Sequence, residues 1–152
     1  MARWLMGWLA LLAVPVAAFD LHLVYGEQHW QFSKEELAEM PGWHFTTETP
    51  WTVEADDYHG VPLAVLLETV GAPQGPLKLR LVALNDYAVE TDAQKLVDAD
   101  AVIVFERNGE PMPVRDYGPY WVLFPFSDRP ELINRDIRNV SVWQLKTIEI
   151  NP

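Results

Sequence analysis

The side chains able to do chemistry in this chain are few in kind. Its 152 residues include no cysteine, which removes disulfides, thiolate nucleophiles, iron–sulfur clusters and every thiolate metal ligand at once. The four histidines, His22, His29, His44 and His59, follow neither His-x-His nor His-x-x-x-His spacing, so no zinc motif is spelled out. No Gly-x-Ser-x-Gly, phosphate loop or dinucleotide fingerprint occurs. Cations are scarce, with 11 Lys and Arg against 22 Asp and Glu. Arg107 and Arg115 therefore stand out, because a guanidinium grips a carboxylate or phosphate bidentately. Arg115, Asp116 and Tyr117 make a local cluster suited to an anion, the plain alternative being surface pairing with Asp116 or Glu110. Asn85-Asp86-Tyr87 is a turn signal that also presents a phenol able to bond a bound molecule.

A formal net charge of -11 surrounds the chain with a field that repels phosphate, which argues against nucleic acid as a partner. A composition 49% hydrophobic and 22% charged, with 12 Pro and 8 Gly, fits a folded domain and excludes a disordered or collagen-like chain. Residues 1–18 have the pattern of a secretory leader: Arg3, an apolar stretch from Trp4 to Val16, then Ala17 and Ala18, with cleavage expected before Phe19. About 13 apolar residues at ~1.5 Å each span only ~20 Å, short of a ~30 Å hydrocarbon core. The expectation is a periplasmic or secreted protein, exported unfolded because the leader lacks paired arginines, with no membrane span after cleavage. Residues 19–152 then form one domain.

The elements that must position these side chains follow from local pattern. Alternating stretches around Gly26-Glu27 predict a hairpin over Leu21 to Phe32. Ser33 and Glu36 form a capping box for a short helix that Pro41 and Gly42 end. A strand is expected from Trp43 to Thr47, then an acidic loop from Glu54 to Tyr58. Leu63, Leu66, Leu67 and Val70 describe a helix face, with Pro62 in its first turn and Gly71 at its C-terminal cap. Strands are expected around Leu77–Leu81 and Val89. Thr91 and Gln94 read as a second capping box, opening a helix through Val97. Val102 to Phe105 predicts a central strand, and Asn108-Gly109 a tight hairpin turn. Pro111 and Pro113 mark an edge segment before a strand from Tyr120 to Phe124. Asp128, Pro130 and Glu131 suit one last helical turn, and Val142 to Ile150 closes the chain as a strand with a bulge. These short helices and more numerous strands predict an α+β domain with mixed, mainly antiparallel sheets.

Four runs, taken in order, resemble the molybdopterin-binding domain of sulfite-oxidase-type oxidoreductases: Tyr58-His59-Gly60-Val61-Pro62-Leu63 with Leu66-Leu67, Asn85-Asp86-Tyr87, Asn108 to Arg115, and Trp143-Gln144-Leu145-Lys146. The resemblance covers roughly residues 43 to 150 and implies that family's α+β fold. It also implies a pterin dithiolene cofactor whose metal takes one cysteine thiolate from the stretch that here aligns with Thr46 to Trp51, with Thr47 at the equivalent position. A hydroxyl is a hard ligand whose proton is tightly held, so the redox centre as that family builds it is not expected here. The chain looks like a small, exported, stand-alone branch that keeps the scaffold and lacks the ligand.

By that resemblance, Thr46, Thr47, Thr49 and Trp51 would lie beside the lost metal position, where hydroxyls and an indole suit a small polar or aromatic ligand. Threonines favouring strands and a tryptophan filling core is the plain alternative. Asn85, Asp86 and Tyr87 would sit where relatives approach substrate or pterin. The candidate ligand-binding set is thus Thr47, Thr49, Trp51, Asn85, Asp86, Tyr87, Arg107, Arg115 and Tyr117, with no catalytic or metal-ligating residue. The function expected is a non-redox exported domain that binds a small polar or anionic ligand, or a periplasmic or membrane receptor protein, with sensing as one use and no cofactor. The alternative is an oxidoreductase that holds molybdopterin without a cysteine ligand.

Overall fold

A computed structural model describes residues 19–151; the leader expectation and its cleavage site at Ala18 fall outside those residues. Among the described residues, strands β1 (Leu21–Tyr25), β2 (Gln28–Phe32), β3 (Trp43–Thr47), β4 (Asp56–Pro62), β5 (Lys78–Ala83), β6 (Ala88–Asp92), β7 (Val102–Arg107), β8 (Glu110–Pro111), β9 (Trp121–Leu123) and β10 (Leu145–Asn151) are joined by helices α1 (Lys34–Glu39), α2 (Leu63–Thr69), α3 (Ala93–Asp98) and α4 (Arg135–Val140). The first sheet runs β2-β1-β10-β5-β6, and the second runs β3-β4-β7-β8 with β9 also on β7. Among the described residues, only β1 and β10 run parallel, and the other pairings are antiparallel. This is the α+β class of mixed sheets and short helices that the patterning predicts.

Local chemistry explains most boundaries. The Ser33 hydroxyl accepts from the Glu36 N–H at 3.1 Å while the Glu36 carboxylate accepts from the Ser33 N–H at 2.8 Å, closing the box that starts α1. At the end of α2, Gly71 takes φ +69°. Its N–H bonds the Glu68 carbonyl, and the Ala72 N–H bonds Leu67, a Schellman closure that needs the residue without a Cβ. Asn108 and Gly109 both have positive φ, the primed-turn geometry that matches strand twist between β7 and β8. The bulge expected in the last strand lies between Leu145 and Thr147.

Two expectations are corrected, and one helix was not foreseen. The acidic stretch is not wholly loop, because β4 begins at Asp56; the Asn108 side chain and the Arg107 guanidinium hold that residue, so its charge does not keep it in solvent. Thr91 does not cap α3. The cap position is Asp92, without a side-chain cap bond, and Gln94 instead reaches forward to Asp98 at 2.7 Å. The helical turn expected around Asp128–Glu131 is present as a 3-10 turn at Pro130–Leu132, and a helix that the patterning did not anticipate, α4, follows it, capped by the Asn134 side chain accepting from the Ile137 N–H at 3.0 Å.

One buried apolar cluster draws on both sheets, with Leu21, Leu79, Leu81 and Ile148 from the first and Val102, Val104, Phe105 and Trp121 from the second. The segment between β9 and β10 crosses between them. Val142 accepts from the Val122 N–H at 2.9 Å, Gln144 donates to Tyr117 at 3.1 Å, and Gln144 accepts from the Leu84 N–H at 2.8 Å. Trp143 is therefore fixed on both sides by backbone bonds.

Candidate functional site

Thr47, which the resemblance aligns with the metal-ligating cysteine, is fully buried at the end of β3. Its hydroxyl accepts from the Ser127 N–H at 2.9 Å and donates to the Glu48 carbonyl at 2.8 Å, while the Ser127 hydroxyl accepts from the Glu48 N–H at 2.9 Å. These bonds clasp the end of β3 to the loop after β9. Thr46, on the opposite side of the strand, bonds the Asp57 carboxylate across to β4. Thr49 accepts from the N–H groups of Trp51 and Thr52 at 3.2 and 3.1 Å, a side-chain-stabilised turn. The hydroxyls expected to line a cleft are thus mostly spent on backbone.

A pterin dithiolene centre with a protein thiolate does not fit this donor set. The chain contains no cysteine, and the aligned Thr47 oxygen is closed inside a hydrogen-bonded clasp.

Trp51 and Tyr117 do come together, in an aromatic cluster. Trp51 meets Trp121, Phe126 and Trp143 edge-on at centroid distances of 5.7, 6.0 and 5.8 Å. Tyr117 stacks on Trp121 at 4.5 Å and donates its hydroxyl to the Trp51 carbonyl at 3.1 Å. Such contacts add roughly 0.5–1.5 kcal/mol each beyond area burial, so the cluster locks the loop after β3 onto the β9–β10 crossing. Behind it, the buried Tyr58 hydroxyl makes no hydrogen bond among the described residues, and the neighbouring Thr52 hydroxyl is engaged with that of Thr49 at 2.7 Å. Burial pushes the Tyr58 phenol up to about 12.

Arg107 is not free to grip a ligand. Its Nε and Nη2 donate to one Asp56 oxygen at 2.8 and 2.6 Å, and the Asn108 amide donates to the other at 2.9 Å. Burial alone would raise the Asp56 carboxyl, but these hydrogen bonds and the Arg107 charge hold it below its ordinary value. Arg115 lies 86% exposed on the 3-10 turn Val114–Asp116, with Asp116 at 3.9 Å.

Asn85 and Tyr87 border a real cavity. The Asn85 side chain accepts from the Tyr87 N–H at 3.1 Å, Asp86 adopts φ +66°, and the Ala83 N–H bonds the Tyr87 carbonyl at 2.8 Å, so the β5–β6 turn is rigid and local. Asp86 itself points its charge at solvent, with Lys146 at 4.0 Å. The turn faces the end of α4 across a cleft of about 340 Å³ lined by Ala83, Asn85, Tyr87, Arg138, Asn139, Ser141, Val142, Trp143 and Gln144. The Tyr87 hydroxyl reaches the Asn139 carbonyl at 3.4 Å. A second cavity of about 150 Å³ is also lined by Arg138, together with Glu48, Thr49, Pro50, Phe126, Ser127 and Ile133.

Sequence reasoning missed Arg138 and Trp143 as site residues. Trp143 lies in a run that the resemblance used only as a marker. Arg138 sits on α4, whose Asn134 cap and Ile137/Val140 spacing were readable signals. Among the described residues, Arg138 and Arg135 have no carboxylate within 4.0 Å, whereas Lys34, Arg80, Lys95, Arg107 and Arg129 each do; of the two, Arg138 is the one that lines this cleft.

No protein-family model and no curated protein sequence matches the chain. Among solved structures it is similar to the crystal structure of the sulfane dehydrogenase SoxCD from Paracoccus pantotrophus, with a TM-score of 0.65 and 21% sequence identity over 88% of this chain. The match spans 38% of that enzyme chain's length, and the likeness is one of fold.

Proposed function

We propose that this chain is an exported, non-redox domain on a sulfite-oxidase-type scaffold that binds a small polar or anionic molecule in the cleft between the β5–β6 turn and α4. A periplasmic or membrane receptor that reads the occupied state is the partner class that such a placement suits. The observation that carries this reading is a division of labour. The position aligned with the lost thiolate is closed by the Thr47 clasp, while a concave site about 340 Å³ in size keeps an arginine with no carboxylate beside it. That size is at the lower end of small-molecule sites, which run from about 300 to 1,000 Å³. The Asn85, Tyr87 and Asn139 polar groups converge there beside an apolar Trp143 wall, the mixture that fixes a ligand's orientation.

The test is native mass spectrometry and elemental analysis of the protein purified from the periplasm. The reading expects a colourless, metal-free protein whose amide resonances around Tyr87, Asn139 and Trp143 shift when a small ligand binds. Stoichiometric molybdenum with a dithiolene absorption band would overturn it in favour of a molybdopterin oxidoreductase.

A further inference from the structure

We infer that the cleft takes a monocarboxylic acid with a flat apolar body, held by the Arg138 guanidinium at one end and by the Trp143 and Tyr87 rings at the other; this rests on the ligand-binding reading above. The charge follows from the surroundings. A protein of net charge -11 repels free anions, so an anionic ligand must find a local cation that no carboxylate already neutralises. Arg138 has none within 4.0 Å among the described residues, and it lines both this cleft and the smaller cavity beside it. One guanidinium matches one carboxylate in a bidentate fork. A phosphate dianion would need a second cation, and the remaining lining residues supply none, only the neutral amides of Asn85, Asn139 and Gln144 and the hydroxyls of Tyr87 and Ser141.

The body follows from shape and exposure. Trp143 and Tyr87 are 41% and 50% exposed, among the most exposed large apolar side chains described, and both line the cleft. Neither is loose. Trp143 is wedged edge-on against Trp51 and Tyr117 at 5.8 and 5.5 Å, and the Tyr87 hydroxyl is tied to Asn139. Two rigid, half-uncovered rings facing one cleft lose little conformational freedom on stacking against a third. An apolar cavity of about 150 Å³ holds one benzene, so about 340 Å³ accommodates one ring with a short acidic arm and leaves no room for a dinucleotide.

The test is calorimetric and NMR titration of the full exported chain with 3-phenylpropionate, its uncharged amide, acetate and inorganic phosphate. The acid is expected to bind at least tenfold more tightly than the amide, acetate or phosphate, and to shift the Trp143 indole N–H. Arg138→Gln should bring the acid down to the amide's affinity while leaving the amide unchanged, and Arg138→Lys, which keeps charge but loses the fork, should fall between. The Arg138 side chain is exposed and makes no hydrogen bond among the described residues, so an unchanged melting temperature serves as the folding control. Equal binding of acid and amide, an unaffected Arg138→Gln variant, a silent Trp143 resonance or no binding of any probe would each overturn the inference. A different organic mass retained in native spectra would overturn it while leaving the ligand-binding reading intact, and stoichiometric molybdenum would overturn both.

Discussion

Replacing Thr47 with valine separates a structural threonine from a ligand-facing one. Valine keeps the branched shape, so the packing at this fully buried position survives and only the hydroxyl is lost. That hydroxyl serves the Ser127 N–H at 2.9 Å and the Glu48 carbonyl at 2.8 Å. A buried donor or acceptor left unpaired costs about 1–3 kcal/mol. Glu48 and Ser127 are themselves exposed residues, so water recovers part of the loss, and the net penalty should be about 2 kcal/mol. At roughly 3 °C per kcal/mol for a domain of this size, the melting temperature should fall by about 6 °C.

Thr47→Ser, which keeps the oxygen and removes one methyl, should lose only about 1 kcal/mol. Thermal and urea denaturation followed by tryptophan fluorescence read both. Neither variant should alter affinity at the cleft, because Thr47 is not among the residues that line it. If the valine variant melts with the parent and loses ligand instead, the hydroxyl faces a ligand and the clasp has been misread.

Three further perturbations test the surrounding framework. Asp56 is held below its ordinary carboxyl value, so its contribution to stability is fully present above about pH 4, the unfolded value, and is lost as pH falls through the folded one; an Asp56→Asn variant should show a flatter acid-unfolding limb in circular dichroism, and an unchanged limb would mean the Arg107 pair does not matter. At Gly60 an added Cβ would sit 2.3 Å from the Ile103 carbonyl oxygen and 2.6 Å from the Val104 Cα, so Gly60→Ala must push β4 off β7 and should cost more than about 3 kcal/mol, a loss that a well-folded, equally stable variant would contradict. Tyr58→Phe removes a buried hydroxyl that has no partner and should leave stability unchanged or raise it by up to about 1 kcal/mol; a drop in urea midpoint would reveal a bond that the structure does not contain.

What was legible in the sequence is what short-range physics decides. The α1 capping box, the α2 stripe with its Gly71 closure, the Asn108-Gly109 turn and the buried β7 run each depend on neighbours within a few residues. The misses share a different cause. Asp56 and Asp57 look like a solvated acidic loop until Arg107 and Asn108, about 50 positions on, supply donors to Asp56 and an acceptor for the Asp57 N–H that let β4 start there. Thr91 and Gln94 have capping-box spacing, but the chain is still paired to β5 through Asp92, so the helix cannot begin before Ala93. The cleft is harder still, because its walls come from the β5–β6 turn, the end of α4 and the crossing before β10. Asn85 and Tyr87 were visible only as a turn, and nothing local marks Arg138 as facing them.

The strongest reason to look at Arg138 is statistical pressure in the chain's own charge. With acidic residues at twice the number of basic ones, most of the described cations meet a carboxylate; Arg135 and Arg138 do not, and of these Arg138 lines the cleft. Exposed pairs form here even where they contribute almost nothing, as at Lys95 with Asp136 and at Arg129 with Asp100 and Glu131. Asp136 lies two positions before Arg138, so its side chain leaves α4 on a different face, and it pairs with Lys95. Beyond its own helix, Arg138 meets amides, a serine, a phenol and an indole at the main cleft. Glu48, across the smaller cavity, lies farther than 4.0 Å from it and engages Ser127 and Thr47 through its backbone. On the proposed reading, a cation kept from counter-charges in so acidic a chain is where an anion would bind, and the carboxylate titration decides whether one does.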